Sequence, residues 1–305
     1  MKNISLKLLS AILVIFLFAS CNSEDELGPS IFDTTDNGID PTSYTAAFDS
    51  YLYENYTVPY NLEFMYKMKD VETDMNYNLI PASLEKSMDM AVLMKYLWFD
   101  VYKKLAGETF LKLYSPRMIL LIGSPEYNPA SGTMILGEAE GGIKIFLTRV
   151  NYLDTSNPES MNEFYFHTMH HEFMHILHQT KPYPNDFIKI SSAYYNPLTW
   201  NKTTDLDANS LGFVTPYATS AVQEDWVETI SIYVTDNDSQ WAARLTNASV
   251  SNSHGVDGKT TILTKLEKCR KWMKNEWNID LDSLRTEVQY RENHINMDSL
   301  LSEIK

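Results

Sequence analysis

The run His170-His171-Glu172-Phe173-Met174-His175 sets two histidines, His171 and His175, four residues apart, with a glutamate directly after the first. On an α-helix, residues four apart lie about 40° apart around the axis and about 6 Å along it. Two imidazoles so placed can converge on one Zn²⁺ at roughly 2 Å per bond. Glu172 then falls beside the shared face. There it can take a proton from a water whose pKa the metal has lowered. This HExxH pattern needs a helix to carry it, and Phe164, Met169, Phe173, Met174, Ile176 and Leu177 make the surrounding segment largely apolar. Buried His and Glu side chains are costly unless a metal or polar partners compensate them.

A zinc site needs a third protein ligand. His178 follows His171 by seven residues, but on a continuous helix that is about 10.5 Å along the axis, too far for one tetrahedral ion to reach both. His178 and His167 are therefore read as residues of the same helix face that support the ligands, and His170 as structural. The better source is Glu224-Asp225-Trp226-Val227-Glu228 on a later predicted helix. Glu224 and Glu228 share a face: Glu224 is placed to bind zinc while Glu228 accepts a hydrogen bond from a ligand histidine and fixes its tautomer. Trp226, Val227, Ile230 and Ile232 mark that helix as packed.

The elements that must hold these residues are legible in outline. Ser43 to Tyr56 suggests a short helix, and Asn61 to Met68 a strand. Ser83 to Ala106 reads as a long helix, capped by Ser83 and ended by Gly107. Met118 to Ile122, Thr133 to Leu136 and Ile143 to Val150 read as strands, the last two joined through Gly137, Gly141 and Gly142. Asn157-Pro158 opens the His-bearing helix, which should run to about Gln179. Further helices are expected near 219–234, 258–276 and 281–294. The order predicts an α+β chain: a small mixed sheet packed on the HExxH helix, and a mostly helical second half.

HExxH followed by Glu-x-x-x-Glu on a later helix resembles the gluzincin group of zincin metallopeptidases. Tyr217, seven residues before Glu224, makes the site look like that of the anthrax-toxin lethal-factor type, where a tyrosine at this spacing faces the metal. The resemblance implies that Tyr217 stabilises an oxyanion beside zinc. In zincins an edge strand before the active-site helix binds the substrate backbone, and Ile143 to Val150 is the candidate. A wider resemblance rests on Leu97-Trp98-Phe99-Asp100, Ala106-Gly107-Glu108, Ile122-Gly123-Ser124-Pro125, Leu136-Gly137-Glu138-Ala139-Glu140-Gly141-Gly142 and the HExxH run itself. Together these look like the substrate-import-associated zinc metallohydrolase lipoproteins. That likeness implies a TonB-dependent importer and its surface binding lipoprotein as partners. Many gluzincins carry Asp where this chain has Glu228.

The chain has 305 residues and a net charge of −15. Such acidity repels phosphate backbones and argues against a nucleic-acid partner. Lys2 and Lys7 precede the apolar run Leu8 to Phe18, which is too short to span a bilayer. Phe18-Ala19-Ser20-Cys21 resembles a bacterial lipobox, with Cys21 as the lipidated residue, and Asn22 to Glu26 resembles an outer-surface sorting tag. The division expected is a signal peptide at 1–20, a flexible tether at 21–40, and a zincin-like domain at 41–305. Within that domain, 41–155 holds the helix and sheet part, 156–235 the active-site helices and 236–305 the C-terminal helices. Anchorage is through the N-terminal lipid on the outer membrane of a Gram-negative cell. Three functions remain open: a surface zinc peptidase, a zinc amidase on glycan or peptidoglycan, and a non-catalytic binding lipoprotein of an import complex.

Overall fold

Thr42–Lys305 forms one compact unit. The computed structural model describes residues 38–68, 79–128, 132–135, 137–140 and 144–305, with only the backbone of 137–140. The signal segment, Cys21, nearly all of the tether, and Gly141 and Gly142 lie outside the described residues.

Helix α1 begins at Ala46–Leu52, passes through a π turn at Tyr53–Thr57 and ends in Val58–Tyr60, where Asn61 turns left-handed at φ 51°. Strand β1 is Glu63–Met65. Helix α2 starts at Leu84–Met94 because the Ser83 side chain accepts a hydrogen bond from Lys86 N. It continues through a π turn, Lys95–Phe99, into Asp100–Ala106. Gly107 then ends it at φ 86°, a conformation that costs glycine little. A short helix, α3 (Glu108–Tyr114), leads into β2 (Met118–Leu121).

Strands β3 (Glu126–Tyr127) and β4 (Met134–Ile135) form a small antiparallel pair. Strands β5 (Gly137–Glu140) and β6 (Lys144–Leu147) join β1 and β2 in a sheet of order β1-β2-β6-β5. The first three run parallel and β5 runs antiparallel to β6. Alternation sorts the side chains: Ile119, Leu121, Ile145 and Leu147 join the main core, while Met65 and Leu120 form a smaller cluster with Ile122.

The helical half follows. Helix α4 starts at Pro158–Met161 with Asn157 accepting from Ser160 N, passes through a π turn at Asn162–Phe166 and continues as His167–Thr180. Then come α5 (Asp205–Ser210), α6 (Val222–Thr235), α7 (Asp238–Ala248), α8 (Gly258–Trp277), α9 (Leu281–Glu292) and α10 (Met297–Leu301). The core packs α4 between the sheet, α2 and α6. Phe173 of α4 meets Trp98 at 4.8 Å and Tyr102 at 4.9 Å between ring centroids.

The α+β class, the long second helix and the mixed sheet match the sequence reading. Several boundaries do not. Asn61 to Met68 yields only three strand residues. Gly137 lies within β5 instead of joining two strands, and Ile143 to Val150 contracts to β6. That strand is also not an edge, because β2 and β5 occupy its two sides; β5 is the edge strand beside α4. Helices α3, α5, α7 and α10 were not expected.

One buried ion pair fixes α6 against α8. Lys265 Nζ lies 2.7 Å from Asp225 Oδ2, with the two side chains 1% and 0% exposed. Lys265 also donates to Gly212 O and sits 3.9 Å from the Phe213 ring centroid, while Tyr195 OH donates to Asp225. Removing one partner of such a pair strands the other, so Lys265→Ala should cost about 3–5 kcal/mol in urea unfolding. The double variant Asp225→Asn/Lys265→Met should recover most of it. A loss under about 1 kcal/mol in the single variant contradicts this account.

Candidate metal centre

Helices α4 and α6 lie face to face, and their facing side chains converge. His171 Nε2 and His175 Nε2 are 3.2 Å apart, and each is 3.2 Å from Glu224 Oε2. Ligands bound tetrahedrally at about 2.0–2.1 Å from zinc lie roughly 3.3 Å from one another. The triangle therefore has the right size for one ion, and two imidazoles with a carboxylate are a zinc donor set. His171, His175 and Glu224 form a cluster able to hold a metal ion.

The opposite ring nitrogens are occupied. His171 Nδ1 is 2.7 Å from Glu228 Oε1. An ionised carboxylate only accepts, so Nδ1 carries the proton and the Nε2 lone pair faces His175 and Glu224. His175 Nδ1 is 3.0 Å from His178 Nε2. Glu228, 1% exposed, also takes His167 Nε2 at 2.8 Å, and the Thr215 hydroxyl donates to its other oxygen. His167, His171 and Glu228 could in principle hold an ion of their own. Their contacts of 2.7 and 2.8 Å are direct hydrogen bonds, shorter than ligand–ligand spacings across zinc.

The electrostatics fit a cation. Burial works against a charged His171, but hydrogen bonds to Glu224 and Glu228 overturn it and push its pKa up to about 10. Burial likewise opposes a charged Glu224, yet His171 and His175 hold it down at about 2. Glu228 also stays well below the usual carboxylate range despite its burial, through His167 and His171. A site that draws a proton this firmly has a strong field for a metal ion.

Glu172 is 8% exposed on α4, and its charge raises the pKa of both His171 and Tyr217. It therefore lies near both. Tyr217 opens a short 3₁₀ turn, Tyr217–Thr219, and its ring centroid lies 5.8 Å from that of His171. Burial first, then Glu224, Glu228 and Glu172, push its pKa far up, so its hydroxyl remains a donor. Trp200 packs edge-on against it at 4.9 Å.

The remaining histidines of α4 sit apart from the triangle. Burial depresses the His178 pKa to about 4, so it is a neutral partner for His175. His170 is 1% exposed, meets Tyr102 OH at 2.9 Å through Nδ1, and burial holds its pKa at about 3. Two supports escaped the sequence reading. Thr215 sits in an irregular loop without a motif, and the Asp225–Lys265 pair joins residues far apart in the chain. Cys269 is free and fully buried.

Comparison with known proteins agrees with the geometry. A family model described as "Putative zinc-binding metallo-peptidase" matches residues 41–282. A crystal structure described as a putative zinc-binding metallo-peptidase from Bacteroides caccae is 39% identical, with a TM-score of 0.72 over 88% of this chain and 99% of that one. No curated protein matches. The family match covers most of the chain and includes α4 and α6 with the whole donor triangle: the chain belongs to the family so described, "Putative zinc-binding metallo-peptidase".

Proposed function

We propose that this chain is a zinc-dependent hydrolase that cuts a peptide bond outside the cell, with His171, His175 and Glu224 as the ligands of a single zinc ion. The observation that carries the reading is the 3.2 Å triangle of donor atoms, with a partner behind each histidine. When bound, zinc supplies Lewis acidity that lowers the pKa of a water and polarises a carbonyl.

The protein's own groups do the rest. Glu228 holds the His171 ring and its tautomer. Glu172 takes a proton from the attacking water and returns it to the leaving amine. Tyr217 donates from its phenol to the oxygen that gains negative charge. The edge strand β5, beside α4, would pair with an extended substrate backbone.

The same proposal places the protein on the outer membrane through a lipid on Cys21, since Phe18-Ala19-Ser20-Cys21 follows a short apolar run. Cys269 is buried in the core and is no disulfide partner for it. Its expected companions are a TonB-dependent importer and that importer's binding lipoprotein, and peptides would be cut beside the importer.

Metal affinity tests the ligand set. His171→Ala, His175→Ala and Glu224→Ala should each lose more affinity, by competition with a chelator, than Glu228→Ala, expected to lose roughly 10–100-fold. His178→Ala should still bind zinc. Tight binding in Glu224→Ala beside loss in His178→Ala would overturn the assignment.

Turnover tests the chemistry. Against a diverse peptide library, Glu172→Gln should keep its zinc and lose about 10²–10⁴-fold in rate. Equal behaviour of wild type and variant on both peptides and glycans points to a binding lipoprotein, and loss confined to glycan amides points to an amidase. Cys21→Ala should release the protein from membranes; unchanged attachment contradicts the anchor.

A further inference from the structure

The loop between α5 and α6 carries Tyr217, and side chains from α5, α7 and α8 hold its backbone. Lys265 Nζ donates to Gly212 O at 2.7 Å. Asn209 Nδ2 donates to Phe213 O at 2.9 Å and to Val214 O at 3.0 Å, and Arg244 Nη1 donates to Val214 O at 2.8 Å. Three successive carbonyls are thus occupied, up to the residue before Thr215. Beyond it, Asn196 N donates to Thr219 O at 2.6 Å.

One side chain then ties this loop to the metal centre. The Thr215 hydroxyl accepts from Ala218 N at 3.1 Å and donates to Glu228 Oε2 at 2.5 Å. The other oxygen of Glu228 accepts from His171 Nδ1 at 2.7 Å. A row of hydrogen bonds therefore runs from the turn that carries Tyr217, through one hydroxyl and one carboxylate, to a ring of the donor triangle. A hydroxyl suits the middle place, because it has one proton to give and lone pairs to accept with. An aliphatic side chain there would remove both bonds at once.

The consequence is a fixed spacing. Tyr217 begins the 3₁₀ turn, and its ring centroid lies 5.8 Å from that of His171. The tyrosine is 38% exposed, so packing leaves part of its ring unsupported. A catalytic donor misplaced by about 1 Å can cost roughly 10²-fold in rate, so the tie to Glu228 matters.

Resting on the hydrolase reading above, we propose that Thr215 is a positioning residue for Tyr217. Its hydroxyl locks the turn to Glu228, so that one carboxylate sets both the His171 ring and the phenol beside it. Thr215 acts through Tyr217 and not on the substrate.

Kinetics of the zinc-loaded full chain on a peptide that the wild type cleaves test this, beside zinc affinity by competition with a chelator. Thr215→Val should lower kcat about tenfold or more and leave KM within about threefold, since what it loses is a transition-state contact. Thr215→Ser, which keeps the hydroxyl, should recover most of the rate. In a Tyr217→Phe background the valine substitution should cost less than about threefold, because the group it positions is gone. Zinc affinity should fall less in Thr215→Val than in Glu228→Ala. Thr215→Ala removes the hydroxyl without adding bulk and replaces the valine variant if circular dichroism shows that variant unfolded. If the wild type cleaves no peptide, the hydrolase reading fails by itself, and binding of acetohydroxamate at saturating zinc decides the positioning. Tyr217→Phe and Thr215→Val should then each weaken that binding about threefold or more, and the pair no further. No loss in Thr215→Val, equal losses with and without the Tyr217 hydroxyl, a serine variant as poor as valine, or a zinc loss as large as that of Glu228→Ala overturns the proposal.

Discussion

Two imidazole nitrogens and a carboxylate oxygen held 3.2 Å apart repel one another unless a proton or a cation lies among them. The rest of the structure can be understood as the scaffold that enforces this arrangement. Each lone pair is aimed by a bond on the far side of its ring, from Glu228 for His171 and from His178 for His175. Burying Glu228 at 1% exposure is tolerable only because two histidines and Thr215 surround it.

Helix α6 serves two masters. Glu224 and Glu228, four residues apart, face α4. Asp225, one residue on, turns about 100° away and meets Lys265 of α8. Trp226 packs on Trp272 and Phe187 with ring centroids 5.3 and 4.8 Å apart. The helix is thus pinned from behind by a neutralised ion pair and aromatic contacts, so its front carboxylates cannot relax away from the histidines. On α4, Phe173 plays the same part against Trp98 and Tyr102.

How much of this was legible follows from distance along the chain. HExxH and Glu-x-x-x-Glu are spacings within single helices, so the periodicity of 3.6 exposes them. Ser83 and Gly107 bound α2 by local capping chemistry, and Asn157-Pro158 opens α4 the same way. Pairings between distant segments are different. The sheet order β1-β2-β6-β5 brings parallel strands together across long connections, and nothing local states that β6 is interior. Gly137 suggested a turn, yet the residue lies in β5. Helix α7 escaped because only Ala248 is buried on it, although the capping box of Asn237 and Gln240 was there to be read. Lys265 and Asp225 meet only after the helices have packed.

The metal centre is the central claim, and X-ray absorption at the zinc edge of the zinc-loaded protein tests it most directly. Two imidazoles and an oxygen shell at about 2.0–2.2 Å are expected, with one zinc per chain. Three imidazoles, a sulfur shell, or zinc well below one per chain would contradict the account.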